Sequence, residues 1–251
     1  MDKEILLKHW EAEAQKPFSG WDFSYLRGRY REEKPSWSYD ALAREALRNT
    51  DTVLDMGTGG GEKLLQFRDA LPEITIATEG YAPNVLVAHA SLASHNIPVV
   101  PYDSETDARM PFADASFGLV INRHDSFAVT ELARILRPGG VFLTQQVDGR
   151  NLADLQALFG MTIAYQHVTL SHYQQAFVAT GFEIERIEDW QGVTEFSDVG
   201  ALVYYLHAIP WEVPEDFSVR RYQDVLLSLH QREIPLQFTS RRFLLQGRKP
   251  V

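Results

Sequence analysis

No cysteine occurs anywhere in the 251 residues, which excludes disulfides, a thiolate nucleophile and a cysteine zinc site, and which fits a reducing cytosol. Long apolar runs are missing too. The opening MDKEILLKHWEAEAQK breaks its one apolar run, Ile5 to Leu7, with Lys8 and His9, far short of a signal-peptide core. Nothing later reaches the roughly 18 uninterrupted apolar residues of a membrane span. Basic residues are outnumbered, 24 Lys and Arg against 34 Asp and Glu, and the net charge of −10 argues against a general binder of nucleic acid or anionic membrane. Internal repeats and low-complexity tracts are absent. What is present, 45% hydrophobic and 23% charged residues, is the composition of an ordinary globular chain with enough length for a real core. A soluble, cytoplasmic protein is the expectation.

From residue 50 onward, apolar runs of strand length alternate with stretches of helical period, the pattern of an α/β fold with a parallel sheet and crossover helices. Predicted strands lie at 52–54, 74–77, 98–100, 117–121 and 141–144. Helices are expected after the first two, and a third over 130–136 is closed by Arg137-Pro138-Gly139-Gly140. Beyond residue 147 the pattern weakens: 151–160 and 171–180 read as helices, 182–187 as a strand, and 237–239 with 242–245 as a closing strand. Residues 1–48 form a separate helical, aromatic-rich cap containing Trp10, Trp21, Trp37 and Tyr39, ahead of a second domain over 49–251. The segment 197–235 is too long for a turn and is expected to act as a lid, with Asp198 capping a helix that carries Val199, Leu202, Val203 and Leu206.

The most informative stretch is VLDMGTGGGE, residues 53–62, between the first strand and the first helix. Gly57, Gly59 and Gly61 allow positive φ and a close approach of backbone to ligand. A dinucleotide fingerprint starting at Gly57 would need glycine at 62, where this chain has Glu62, so a nicotinamide oxidoreductase is disfavoured. Glu79 ends the second strand about 20 residues on, where a carboxylate can accept hydrogen bonds from ribose hydroxyls. Asp55, Asp103 and Asp107 join it around one crevice, a set that suits a cationic ligand.

These residues resemble the class I S-adenosylmethionine-dependent methyltransferases. Asp55-x-Gly57-x-Gly59-x-Gly61 is similar to the family's acidic glycine loop, DARMPFADASFGLVINRH to its stretch from adenine loop through strand four, and LARILRPGGVFL to its helix and strand-five signature. The resemblance covers roughly residues 50–147. It implies a Rossmann-like, seven-stranded, mostly parallel sheet with helices on both faces and an antiparallel last strand. It also implies S-adenosyl-L-methionine as cofactor. Asp55, Gly57, Thr58, Gly59 and Gly61 would hold its methionine end, Glu79 its ribose, and Asp107 with Ala108 its adenine edge, with Asp103 or Thr106 as the alternative to Asp107 and with Gly80 and Asn122 also among the cofactor contacts.

Methyl transfer from a sulfonium is an in-line displacement in which alignment supplies much of the acceleration, so a base is optional. Asn122-Arg123-His124-Asp125-Ser126 follows the fourth predicted strand of the parallel core, at the carboxyl end that meets the crevice, and His124 is the candidate catalytic base, with Arg123 on the substrate side. A histidine bonded to a neighbouring backbone group or to Asp125 is the plainer role for the same residue. INRHDS lacks the Asn/Asp/Ser-Pro-Pro-aromatic motif of amino-methylating members, which disfavours exocyclic base amines. Tyr204 and Trp211 of the expected lid are candidate acceptor contacts, although an aromatic stripe at helical spacing also suits a core. The insertion faintly resembles that of guanine-N1 ribosomal RNA methyltransferases, without their cysteine zinc module. A small-molecule acceptor is expected, with an RNA base or a non-catalytic cofactor-binding module as alternatives.

Overall fold

The computed structural model describes residues 2–18, 23–232 and 234–251, so Trp21 lies outside the described residues. In chain order the elements are α1 (Lys3–Ala14), β1 (Tyr30–Glu32), α2 (Tyr39–Arg48), β2 (Thr52–Met56), α3 (Glu62–Leu65), β3 (Ile74–Glu79), α4 (Ala82–Leu92), β4 (Val99–Pro101), β5 (Phe117–Arg123) and α5 (Val129–Ile135). Then follow β6 (Leu136–Val147), α6 (Ala153–Leu158), α7 (Leu170–Ala179), β7 (Glu183–Phe196), α8 (Val199–Ala208), α9 (Gln223–His230) and β8 (Leu236–Arg248). The strand order is β1-β7-β8-β6-β5-β2-β3-β4, eight strands among the described residues where seven were expected. β2, β3, β4, β5 and β6 pair in parallel, and β8 runs antiparallel to β6, as expected of the last strand. No helix among the described residues is long and apolar enough to cross a membrane.

The chain divides into two compact units. The larger comprises Ser36–Asp148, His167–Asp189 and Arg242–Val251. β5 is buried at Phe117 to Asn122, as a central parallel strand covered on both faces must be. Around it Leu54, Met56, Val120, Phe142, Phe177, Phe243 and Leu245 form one core. From β2 the chain runs outward through β3 and β4, then returns to place β5 on the other side of β2, so the strand order reverses there. In open α/β sheets the crevice at such a reversal, beyond the carboxyl ends of the strands, is where ligands bind. Register aligns those ends: Met56 faces both Thr78 and Asn122, and Asn122 faces Thr144.

The smaller unit comprises Met1–Pro35, Gly149–Gln166 and Trp190–Arg241. α8 is its central helix, buried at every position but His207, as a helix apolar on all sides must be. Asp198 caps it as the sequence suggests, Oδ1 accepting from Ala201 N at 2.8 Å. The same carboxylate accepts from Arg29 Nη2 at 2.7 Å and Nε at 3.1 Å, while Arg29 Nη1 reaches the buried Glu13 at 3.3 Å. Burial raises the Asp198 carboxyl, but hydrogen bonds from Arg29, Ala201 N and Ser197 outweigh it and hold the group down to about 2. Gly200 leaves room for this cluster, since a Cβ there would sit 3.1 Å from Arg29 Nη2.

The observed grouping differs from a cap over 1–48 followed by a single domain with a lid at 197–235. α2 belongs to the larger unit, and 197–235 supplies α8 and α9 to the smaller one.

Candidate functional site

At the end of β2 the chain turns through Gly57, Gly59 and Gly61, with φ of 71°, 63° and 88°. This left-handed region costs a side-chain-bearing residue energy. At Gly57 space forbids a side chain as well, because a Cβ would fall 2.3 Å from Asp125 Oδ2. At Gly59 no atom beyond its chain neighbours lies within 4 Å of where a Cβ would sit, so that side of the turn is open. Glu79 at the end of β3 ties the turn down: Oε2 accepts from Gly59 N at 2.6 Å and Oε1 from Tyr81 N at 2.9 Å. Thr58, itself buried, donates its backbone N–H to Thr78 O at 2.9 Å.

Four carboxylates surround this turn. Burial pushes Asp55 up to about 6, with Glu79 adding like-charge repulsion. Asp125 is likewise pushed up to about 6, first by burial and then by Glu79, Asp103 and Glu105. Asp103 opens a tight turn after β4: its Oδ1 accepts from Glu105 N, and its own N–H donates to Asp107 Oδ2, both at 2.9 Å. Gly80 permits that turn, since a Cβ there would lie 2.9 Å from Asp103 Cβ. Asp107 and Ala108 are exposed. Beside them the Tyr102 hydroxyl is buried with no hydrogen-bond partner among the described residues, and burial followed by Glu131, Asp107, Asp103 and Asp125 pushes it up to about 12.

Asn122 is fully buried, and its Oδ1 accepts from Thr144 Oγ1 at 2.9 Å and Gln146 Nε2 at 2.6 Å. Gln146 Nε2 also reaches Asp125 O at 2.9 Å, so this network holds the turn that carries Asp125 over Gly57. Arg123 is exposed. His124 is exposed too, in a left-handed conformation with φ 63°, its N–H donating to Gln145 O at 2.9 Å. Its imidazole is held well below the usual histidine range, by desolvation first and then by the cations Arg123, Arg242 and Lys63.

The larger unit therefore brings Asp55, Gly57, Thr58, Gly59, Gly61, Glu79, Gly80, Asp103, Asn122 and His124 to the carboxyl ends of its parallel strands. The two lid candidates belong to the smaller unit. Tyr204 is buried in that unit's core, its ring 4.6 Å from Tyr25, whereas Trp211 is 52% exposed. Sequence reasoning missed Asp125 as a site carboxylate, taking it only as a partner for His124, because its contact with Gly57 is tertiary and leaves no trace in spacing. It also missed Tyr102, whose place two residues after a predicted strand was the available signal.

The family model for "Methyltransferase domain" matches residues 54–144. The chain is 30% identical over 156 residues to a malonyl-[acyl-carrier protein] O-methyltransferase of Marinomonas sp., covering 52% of this chain and 56% of that protein. It is 26% identical over 111 residues to a demethylmenaquinone methyltransferase of Deinococcus radiodurans, covering 41% and 46%. The chain thus spans about half the length of the curated relatives it matches. A candidate methyltransferase of Bacillus halodurans C-125 superposes with a TM-score of 0.61 at 19% identity, over 85% of this chain and 99% of that one, which shows the fold. Residues 54–144 thus match a methyltransferase domain, and the sheet that reverses at β2 with a glycine turn at the reversal has the fold of the solved methyltransferase it superposes on.

Proposed function

We propose that the chain transfers a methyl group from S-adenosylmethionine to a small-molecule acceptor. The observation that carries this reading is the ring of Asp55, Glu79, Asp103 and Asp125 around an open glycine turn, a site whose two raised carboxyls await a cation. The residues fit the cofactor's parts. Asp55 and the glycine-turn backbone suit the methionyl end and Glu79 the ribose. Asp103 or Asp107, with Ala108 and the unpartnered Tyr102 hydroxyl, suits the adenine. When bound, S-adenosylmethionine supplies an electrophilic methyl on a cationic sulfur. The chain's own work is binding and alignment, which can be worth about 7 to 11 kcal/mol. Carboxylates near the sulfonium favour the charged ground state, and charge disperses as the methyl departs, so they raise affinity rather than turnover.

Calorimetry should give micromolar binding of S-adenosylmethionine, about −8 kcal/mol, and none of NAD. Tritiated methyl should then appear in the small-molecule fraction of a cell extract. Binding of NAD with S-adenosylmethionine ignored overturns the cofactor, and label entering RNA instead overturns the acceptor class.

The raised carboxyls set a pH dependence. A carboxyl whose folded value lies above its unfolded value favours the fold while protonated, so in the ligand-free protein Asp55 and Asp125 contribute stability that is lost as pH rises from about 4 through about 6. A cationic ligand favours the ionised forms and draws both protons off. Affinity for S-adenosylmethionine should accordingly rise at least threefold from pH 5 to pH 7, roughly 0.6 kcal/mol or more. Titrations at several pH values check this, and a flat profile would refute it.

A further inference from the structure

One hydrogen-bond chain in the larger unit bears on what His124 can do. The indole of Trp37 is a donor only, and its Nε1–H donates to Gln145 Oε1 at 2.8 Å. With that oxygen committed, the other end of the Gln145 amide is its NH2 group, and this faces His124 Nε2 at 2.9 Å. Two facing donors would repel, so His124 Nε2 is the acceptor and the ring proton resides on Nδ1. A base acting through Nε2 would first have to give up this bond. Nδ1 has no protein partner among the described residues, and the residue is exposed beside Asp125, the carboxylate seated against the glycine turn. The backbone is held at φ 63°, a conformation that a non-glycine residue keeps only under constraint from its surroundings.

We propose that His124 is a fixed hydrogen-bond donor, presenting Nδ1–H to an oxygen of an acceptor that arrives already anionic, a carboxylate or similar oxyanion, with Gln145 and Trp37 as the positioning residues. The inference deepens the methyltransferase reading and rests on it. Arg123 on its own turn and Arg242 on β8 are cations acting on the imidazole and support an anionic partner beside it, against the single neighbouring carboxylate of Asp125; Lys63 acts on it too but is tied to Asp40 at 2.6 Å. Such an acceptor needs no base. An oxygen lone pair forms the new O–C bond, the C–S bond breaks with its electron pair going to sulfur, and no proton moves. Nδ1–H and the nearby cations hold the anion in line and reject acceptors that lack an oxyanion.

The test is nitrogen-15 NMR of the imidazoles in the whole chain, with His124→Gln as the assignment control. The Nδ1–H form should dominate at pH 7. Trp37→Phe keeps an aromatic ring, frees the Gln145 amide to turn, and should raise the Nε2–H population at least threefold. With adenosylhomocysteine bound, acetate, used as the simplest carboxylate, should shift the Nδ1 resonance, whereas methyl acetate at the same concentration should not. A dominant Nε2–H form, an unchanged ratio in folded Trp37→Phe, or an Nδ1 signal indifferent to acetate would each overturn the proposal while adenosylhomocysteine binding stands. Failure of adenosylhomocysteine to bind is the distinct result that removes the methyltransferase reading and this proposal with it.

Discussion

Glu79→Ala is expected to weaken S-adenosylmethionine binding at least tenfold while the variant stays folded. A carboxylate has about four acceptor positions, and Glu79 uses one on each oxygen for Gly59 N and Tyr81 N, leaving the others for ribose hydroxyls. Hydrogen bonds to a charged group are worth about 1.5 to 3 kcal/mol, and tenfold in affinity is about 1.4 kcal/mol. The variant also leaves the Gly59 and Tyr81 N–H groups without their acceptor, which loosens the turn the cofactor needs. Glu79→Gln keeps one acceptor oxygen and should fall between the two. Because the ribose lies away from the transferred methyl, the loss should appear in KM with kcat largely kept. Calorimetry alongside circular dichroism checks it. Unchanged affinity in a folded variant would mean that Glu79 only braces the turn.

The second large effect is on stability. Arg29→Met removes the cation that Glu13 and Asp198 share, leaving Glu13, whose side chain is 7% exposed, as a buried charge without its guanidinium. Breaking a fully buried pair costs about 3 to 5 kcal/mol. Here the Arg29 side chain is 27% exposed and Asp198 42%, so water relieves part of the penalty and about 2 to 3 kcal/mol is expected. For a chain of this size that corresponds to a fall in Tm of roughly 4 to 12 °C. Adding Glu13→Leu to Arg29→Met should recover part of the loss, because the stranded charge goes with it. Thermal unfolding of the single and double variants decides: a double variant less stable than the single would show that the pair is not the source.

Local pattern carried the parallel core. β2, β3, β4 and β5 lie within a residue or two of the apolar runs that announced them, and β2 and β5, buried along nearly their whole length, show why, since a strand covered on both faces needs an unbroken run. The glycine turn was legible for the same kind of reason: positive φ restricts residue choice strongly enough to show in a single sequence. Arg137-Pro138-Gly139-Gly140 was read as a helix stop, and α5 does end just before it, yet the tetrapeptide lies within β6. Leu136 pairs with Phe117 and Val141 with Leu119, so the extra residues bulge out at Gly139, whose φ is 77°. β1 gave no signal, since Tyr30-Arg31-Glu32 has no apolar period and its pairing with Thr194 to Phe196 comes from far along the chain. β7 runs nine residues past the expected end, through a polar stretch of alternating exposure that hydrophobicity alone does not flag. Asp125 and the Trp37–Gln145–His124 chain were hidden for a further reason: they depend on which side chains meet across strands and turns, and that is fixed only when the whole unit closes.

The division of the chain has a consequence for synthesis on the ribosome. The backbone passes from one unit to the other at 35/36, 148/149, 166/167, 189/190 and 241/242, so neither unit is a continuous stretch of polypeptide. Domains made of contiguous sequence can fold as they emerge, one after another. That order is closed to this chain. The larger unit places Arg242 to Arg248 against β6, so its sheet stays short of a strand until Arg248 has been translated. Residues 54–144 wait in the meantime with the flank of β6 unpaired, a strand edge open to wrong partners. Closure of this sheet is therefore a late step that waits on β8, rather than one that proceeds strictly from the N-terminus.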